Sequence, residues 1–166
     1  MSQYVDLTTR TIFIYGEIEE DMVLEISRAL TDKGKWNVKI NSEGGDLYSA
    51  LALIIALKKC KKVNIDIVGR AHSAAAYIVL FGSYVQMSEM GSIMFHQTRW
   101  STDSQTVEEH LQDVEEVSRI TLAILSEGLK DTRINAYDIE KETKRGDYYM
   151  DSDAAVLKGI VNEVYS

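Results

Sequence analysis

Ser73 stands between two contrasting runs, and few other side chains in this 166-residue chain have the chemistry to help it act as a nucleophile. The alternating stretch Lys62-Val63-Asn64-Ile65-Asp66-Ile67-Val68 leads into Gly69-Arg70-Ala71-His72-Ser73, and the alanine-rich run 74–81 follows. A serine at a strand-to-helix turn sits where such architectures expose a nucleophile, with the first helical N–H groups free to bind an oxyanion. Most serines at that point only cap the helix. A catalytic one needs a base, an orienting acid and oxyanion donors.

Three histidines are available as a base. His110 lies among Glu108, Glu109 and Gln112, the pattern of a solvated helix face. His72 abuts Ser73, but neighbouring side chains at a strand end diverge, so it reads as a packing or supporting residue. His96 follows the apolar Ile93-Met94-Phe95 and precedes Gln97-Thr98-Arg99. A histidine where a core strand emerges into a loop can meet a nucleophile on the neighbouring strand end, which makes His96 the best base.

The acid is drawn from Asp147, Asp151 and Asp153. Asp151 and Asp153 read equally well as caps of a helix beginning near Ser152. Asp147, after Gly146 and before an apolar run, is freer to turn inward, where a carboxylate can hold an imidazole tautomer and stabilise the imidazolium. Gly44-Gly45 lacks the Lys-Ser/Thr of a phosphate loop, because Asp46-Leu47 follow. It is either a tight turn or one oxyanion donor. The Gly45 N–H paired with that of Ala74 would complete an acyl-transfer site.

The elements that must position these groups alternate. Strands are expected over 11–15 (closed by Gly16), 38–41, 63–68, 84–87 and 92–95, with a terminal strand over 160–164. Helices are expected from Met22, Val23, Ile26 and Leu30 to a stop at Asp32-Lys33-Gly34, then over 46–59, after Ser73, over 135–144 and over 152–157. This order indicates an α/β fold with a largely parallel sheet in one domain spanning 1–166. A long helix over 103–128 carries Val107, Leu111, Val114, Val117, Thr121 and Leu125 on one face and a crowd of carboxylates on the others. Its length suits either a core-covering helix or one that protrudes and packs on another subunit.

Composition narrows the partners. With 18 Lys and Arg against 26 Asp and Glu, the net charge of −8 argues against nucleic-acid or anionic-membrane binding, which rests on basic side chains. The single cysteine, Cys60, excludes an intrachain disulfide and a Cys-based metal site. The polar start and the absence of a long apolar run point to a cytoplasmic protein with no membrane span. There is no proline.

The order of these segments resembles one known family. Ile40-Asn41-Ser42-Glu43-Gly44-Gly45-Asp46 is similar to the strand and Asn-Ser-Pro-Gly-Gly turn of the Clp protease proteolytic subunit (ClpP). Gly69-Arg70-Ala71-His72-Ser73-Ala74-Ala75-Ala76 resembles that family's nucleophile segment, and Ile93-Met94-Phe95-His96-Gln97 its histidine segment. The stretch 142–150 resembles the part that carries its aspartate, and 154–161 resembles its close. The resemblance implies a crotonase-like, ClpP-type α/β subunit with a protruding handle helix, assembled as stacked heptameric rings around a proteolytic chamber. It also implies Ser73 as nucleophile, His96 as base, Asp147 as acid, and the Gly45 and Ala74 N–H groups as the oxyanion hole. No metal or cofactor is implied.

Departures accompany the likeness. Glu43 replaces the turn proline, Ala74-Ala75 replaces Met-Gly, and the N-terminal arm is short. Asn37 and Lys39 stand where the family carries aromatics for docking a Clp ATPase, so that partnership is expected to be altered. The expected activity is serine endopeptidase action on peptides or unfolded proteins. The alternatives are an inactive ClpP-like scaffold subunit or, less favoured, a crotonase-superfamily acyl-CoA enzyme, which gives no role to Ser73, His96 and Asp147 together.

Overall fold

A computed structural model describes residues 3–31, 33–97 and 106–166. Along the chain run β1 (Val5–Asp6), β2 (Thr11–Ile18), α1 (Glu20–Ala29), β3 (Lys35–Gly45), α2 (Leu47–Leu57), β4 (Lys62–His72) and α3 (Ala74–Val79). They continue as β5 (Tyr84–Ser88), β6 (Ser92–Phe95), α4 (Val107–Gly128), α5 (Ala136–Thr143), β7 (Tyr148–Met150), α6 (Ser152–Leu157) and β8 (Glu163–Tyr165). Sheet order is β1-β2-β3-β4-β5-β8, with β6 on β4 and β7 on β6. Only β1 and β7 run antiparallel to their neighbours.

β4 divides the sheet. Its first half, Asn64 to Ile67, pairs with β5, and its second half, Arg70 to His72, pairs with β6. Gly69 lies at the fork, where an added Cβ would stand 2.6 Å from Asn41 Oδ1. The fork sets β6 and β7 as a branch of the same sheet, with β6 paired to the end of β4.

Alternate residues of the strands, among them Ile12, Ile14, Val38, Ile40, Ile65 and Ile67, are buried under α1, α2 and α3. Each such side chain stabilises the fold by about 1.5–3 kcal/mol relative to exposure. The opposite face is mixed: Phe13 and Tyr15, in register with Lys39 and Asn41, meet edge to face at 6.0 Å beside polar groups. Asn64 Nδ2 donates to Asn37 Oδ1 at 3.2 Å, Lys39 pairs with Asp66 at 3.6 Å, and the Tyr165 hydroxyl donates to Asp66 Oδ1 at 2.8 Å. Parallel sheets usually bury both faces. Here only one face carries helices, so the strands alternate rather than reading as continuous apolar runs.

Several expected boundaries move. The strand expected to close at Gly16 continues to Ile18, because Gly16 takes φ +78° within a bulge against β3. The terminal strand is Glu163–Tyr165 rather than 160–164, since Ile160 N–H and Val161 N–H both turn back to the Ala155 carbonyl. Strands β1 and β7 had no periodicity to reveal them. Of the long helix, 107–128 is helical, and the expected positions 103–105, like Asp32, lie outside the described residues. Thr106 caps α4 in a reciprocal box with Glu109.

The first half of α4 has no described side chain fully buried, and Leu111 is 57% exposed. Burial begins at Val117 and continues at Ile124 and Leu125. The apolar stripe is therefore covered at one end and open at the other. No helix among the described residues is long and apolar enough to cross a membrane.

Candidate active site

Ser73 lies at the junction of β4 and α3 with φ +53° and ψ −123°. This is a conformation L-residues adopt only under constraint, costing on the order of 1–3 kcal/mol. Its side chain makes no capping bond to α3, so the ordinary explanation for a serine there does not apply. The Ser73 N–H donates to the Met94 carbonyl at 2.8 Å, which ties the turn to β6. All six residues of α3 are buried. Ala74, Ala75 and Ala76 have no side chain beyond Cβ to hold the helix away from the sheet. As the first helical residue, Ala74 has an N–H without an acceptor inside the helix.

The Gly44-Gly45 pair, expected as a turn after a strand over 38–41, is instead the end of β3, with Gly44 opposite Glu17 and Gly45 opposite Ile18 of β2, and it touches this elbow. Gly44 has φ +104°, and a Cβ on it would lie 2.7 Å from both His72 O and Ser73 Cβ and 3.0 Å from Ala74 N. Gly45 has φ +147°, and its Cβ would lie 2.4 Å from Ile18 O. Both positions therefore require glycine. Ser42, fully buried, locks the pair: its hydroxyl donates to Gly16 O at 2.5 Å and accepts from the Gly44 N–H at 3.0 Å. Across the surface Arg70 Nη2 reaches Glu43 Oε2 at 3.2 Å, so an exposed ion pair joins β3 to β4 where the related turn has proline. Such pairs contribute at most about 1 kcal/mol.

Ser42 was not singled out from sequence, although its place before two glycines was a usable signal. Ser42→Ala is expected to lower stability by about 1–3 kcal/mol in urea titrations, because it leaves the buried Gly44 N–H without an acceptor.

His96 follows β6, half-buried, and its Nδ1–H donates to the Gln97 carbonyl. A carbonyl can only accept, so Nδ1 carries the proton and neutral His96 has its lone pair on Nε2. That is the tautomer a general base needs. Register brings the other two candidates alongside. His72 of β4 pairs with Met94 of β6, so Ser73 and His96 follow adjacent parallel strand ends. Phe95 pairs with Tyr148 across the antiparallel β6–β7 ladder, so His96 and Asp147 extend that ladder by one position.

Asp147 is exposed, not turned inward as expected, because it precedes the edge strand β7. Asp151 caps α6, accepting from the Ala154 N–H at 2.8 Å, and Asp153 lies exposed in the same first turn. His72 has its own partner: its Nε2 lies 2.7 Å from Ser92 Oγ and its ring meets Tyr149 edge-on at 5.6 Å. Burial, then the Arg70 charge, lowers its pKa below the ordinary histidine value, against a smaller upward pull from Glu43. His110, expected on a solvated face, is half-buried on α4.

A pocket of about 450 Å³ opens beside His96, between α3, α4 and α5, with Tyr77, Val117, Thr121, Leu125 and Ile139 in its lining. It was not foreseen from sequence, since its walls come from three separate helices. Among the described residues, no group of three or more His, Cys, Asp or Glu side chains is arranged to hold a metal ion.

The Clp protease family profile matches residues 2–166. The chain belongs to the Clp protease family. Among solved structures, a point mutant of ClpP1 from Listeria monocytogenes superposes with a TM-score of 0.81 at 23% identity, covering 96% of this chain and 93% of that one. The fold is therefore the crotonase-like α/β fold of ClpP. Comparison with curated protein sequences yields no match. In this Clp protease family member, the β4–α3 elbow, the glycine pair at the end of β3 and the antiparallel β6–β7 pair lie together at one end of the forked sheet.

Proposed function

We propose that this chain is a serine endopeptidase in which Ser73 attacks a peptide carbonyl, His96 Nε2 takes its proton, and Asp147 orients the imidazole. The N–H groups of Gly45 and Ala74 would hold the oxyanion. The acyl-enzyme on Ser73 is then hydrolysed by water activated at the same Nε2, which returns the proton to the leaving amine in the first half of the cycle and to Ser73 in the second. The observation that carries this reading is the backbone of Ser73. A serine held at φ +53° without a capping role, against a glycine pair, is strain that the elbow of a nucleophile explains and a cap does not.

The family supports assembly into stacked rings with the substrate inside, and the half-covered stripe of α4 fits a handle packed on a second ring. Docking of a Clp ATPase would use a sheet face that in this chain carries Asn37 and Lys39, both tied into the polar network with Asn64 and Asp66. The same face also carries Phe13 and Tyr15, so a docking loop would meet two aromatic rings among charged and amide groups. Operation in the cytoplasm without metal or cofactor completes the proposal.

One observation favours the second reading, a scaffold subunit without activity. The His96 Nδ1–H is taken by the Gln97 carbonyl, where a working triad has the carboxylate. Treating the assembled protein with a serine-reactive peptidyl phosphonate and locating the adduct by mass spectrometry separates the two. Labelling of Ser73 supports the peptidase. An unlabelled protein, or an adduct on Ser92 beside His72, refutes it. His96→Ala is expected to suppress labelling of Ser73 by about 1,000-fold or more, and His72→Ala by less than about tenfold. Comparable losses would mean that the base is the wrong histidine.

A further inference from the structure

Asn41 lies inside the sheet, between β2 and β4, although asparagine is depleted from strands. Tyr15 of β2 pairs with it on one side, and on the other the β3–β4 register breaks at it. Ile40 lies opposite Ile67 and Ser42 opposite Ala71, so Asn41 faces all three of Val68, Gly69 and Arg70. Over the same residues β4 leaves β5, whose pairing ends at Ile67, for β6, whose pairing begins at Arg70. The Asn41 carboxamide reaches into this break, and its Oδ1 accepts from the Arg70 N–H at 3.3 Å. Gly69 makes room for it, because a Cβ there would stand 2.6 Å from the same oxygen. Gly69 has no left-handed φ, so its bare Cα serves the carboxamide rather than the backbone. Two residues on, Glu43 pairs with the Arg70 guanidinium at 3.2 Å. One short segment of β3 therefore holds Arg70 by both its backbone and its side chain.

Resting on the peptidase reading above, we propose that Asn41 is a positioning residue for Ser73. Its carboxamide holds the 68–70 excursion of β4, which sends Arg70, Ala71 and His72 onto β6 and sets the Ser73 hydroxyl beside His96. The path from Arg70 to the nucleophile is paired throughout. Arg70, Ala71 and His72 lie opposite Ser92, Ile93 and Met94, and the Ser73 N–H is bonded to the Met94 carbonyl. A shift at Arg70 is carried along this strand to Ser73 instead of being absorbed in a loop. Small misplacements of a reacting group cost rate far more than they cost stability.

The test follows phosphonate labelling of Ser73 in the full-length protein against probe concentration, which separates the limiting rate from the half-saturating concentration. Asn41→Ala is expected to lower the limiting rate about tenfold and to leave the half-saturating concentration within about twofold. Asn41→Asp keeps an oxygen for the Arg70 N–H and should retain most of the rate. Gly69→Ala drives the carboxamide off from the other side and should match Asn41→Ala. The double variant Asn41→Ala/Gly69→Ala should be no slower than either single one, because the same contact is lost only once. Urea midpoints of each variant identify any whose loss comes from unfolding; if Asn41→Ala is one, Gly69→Ala set against Asn41→Asp carries the comparison. Asn41→Ala labelled at the unmodified rate, Asn41→Asp as slow as Asn41→Ala, or losses that multiply in the double variant overturn the positioning role and leave the peptidase standing. An unmodified protein that takes no label on Ser73 overturns the peptidase reading and this one with it.

Discussion

Replacing Ser73 by alanine is expected to abolish peptide cleavage, a loss of about 10,000-fold or more, while leaving the fold intact. Replacing it by glycine should abolish cleavage equally and raise stability by about 1 kcal/mol. The two variants differ in two respects of opposite sign. Alanine keeps a Cβ on a backbone at φ +53°, whereas glycine occupies that region without penalty and offsets only part of the gain through its freer unfolded chain. Activity measured on a fluorogenic peptide, together with urea midpoints for both variants, checks the pair. Residual cleavage by either variant would remove Ser73 as nucleophile. A glycine variant less stable than the alanine one would mean that the elbow is not strained.

The second large effect belongs to Gly45. An alanine there puts its Cβ 2.4 Å from Ile18 O and 2.6 Å from Ile18 N, both backbone atoms that cannot step aside, at φ +147°. Gly45→Ala is expected to cost about 3 kcal/mol or more, from overpacking added to backbone strain, and to displace the proposed oxyanion donor. Gly146 supplies the control. It has φ +148°, but a Cβ would meet nothing within 4 Å, so Gly146→Ala carries the backbone term alone. Denaturant midpoints of the two variants should therefore differ widely. Near-equal losses would show that contact with Ile18 is not what demands glycine at Gly45.

Much of this architecture is legible in the chain because local signals and tertiary demands agree. The alternation from Val63 and the alanines after Ser73 declare a strand and then a helix, and the structure has both, though β4 runs on past the expected end at Val68 to His72. β6 falls on Ser92–Phe95 and α6 on Ser152–Leu157, the positions expected from sequence. What was not legible depends on partners distant in sequence. β7 is three residues long and exists because β6 offers an edge, so nothing in Tyr148-Tyr149-Met150 announces it. Asp147 was expected to turn inward from the apolar residues that follow it. Those residues belong to an edge strand, and an edge leaves its flanking residue in solvent.

Ser42 poses a different difficulty. It is a small hydroxyl residue whose importance lies in which atom faces it, the Gly44 N–H. Sequence spacing carries no such information. His72 illustrates the converse: adjacency to Ser73 invites a catalytic role, but the alternation of side chains along β4 turns its ring away to Ser92.

The forked β4 also orders events in time. Its partners β3, β5 and β6 are supplied by neighbouring stretches of chain, so the nucleophile elbow and the histidine strand can assemble through short loops. β7 and β8 come from the far end, and the Tyr165–Asp66 bond closes a separation of 99 residues. Contacts of that span are slow to form because loop closure opposes them. During synthesis, then, β6 can pair with the end of β4 before β7 and β8 have been made, and on the roles proposed for Ser73, His96 and Asp147 hydrolytic competence would wait until the chain is nearly complete.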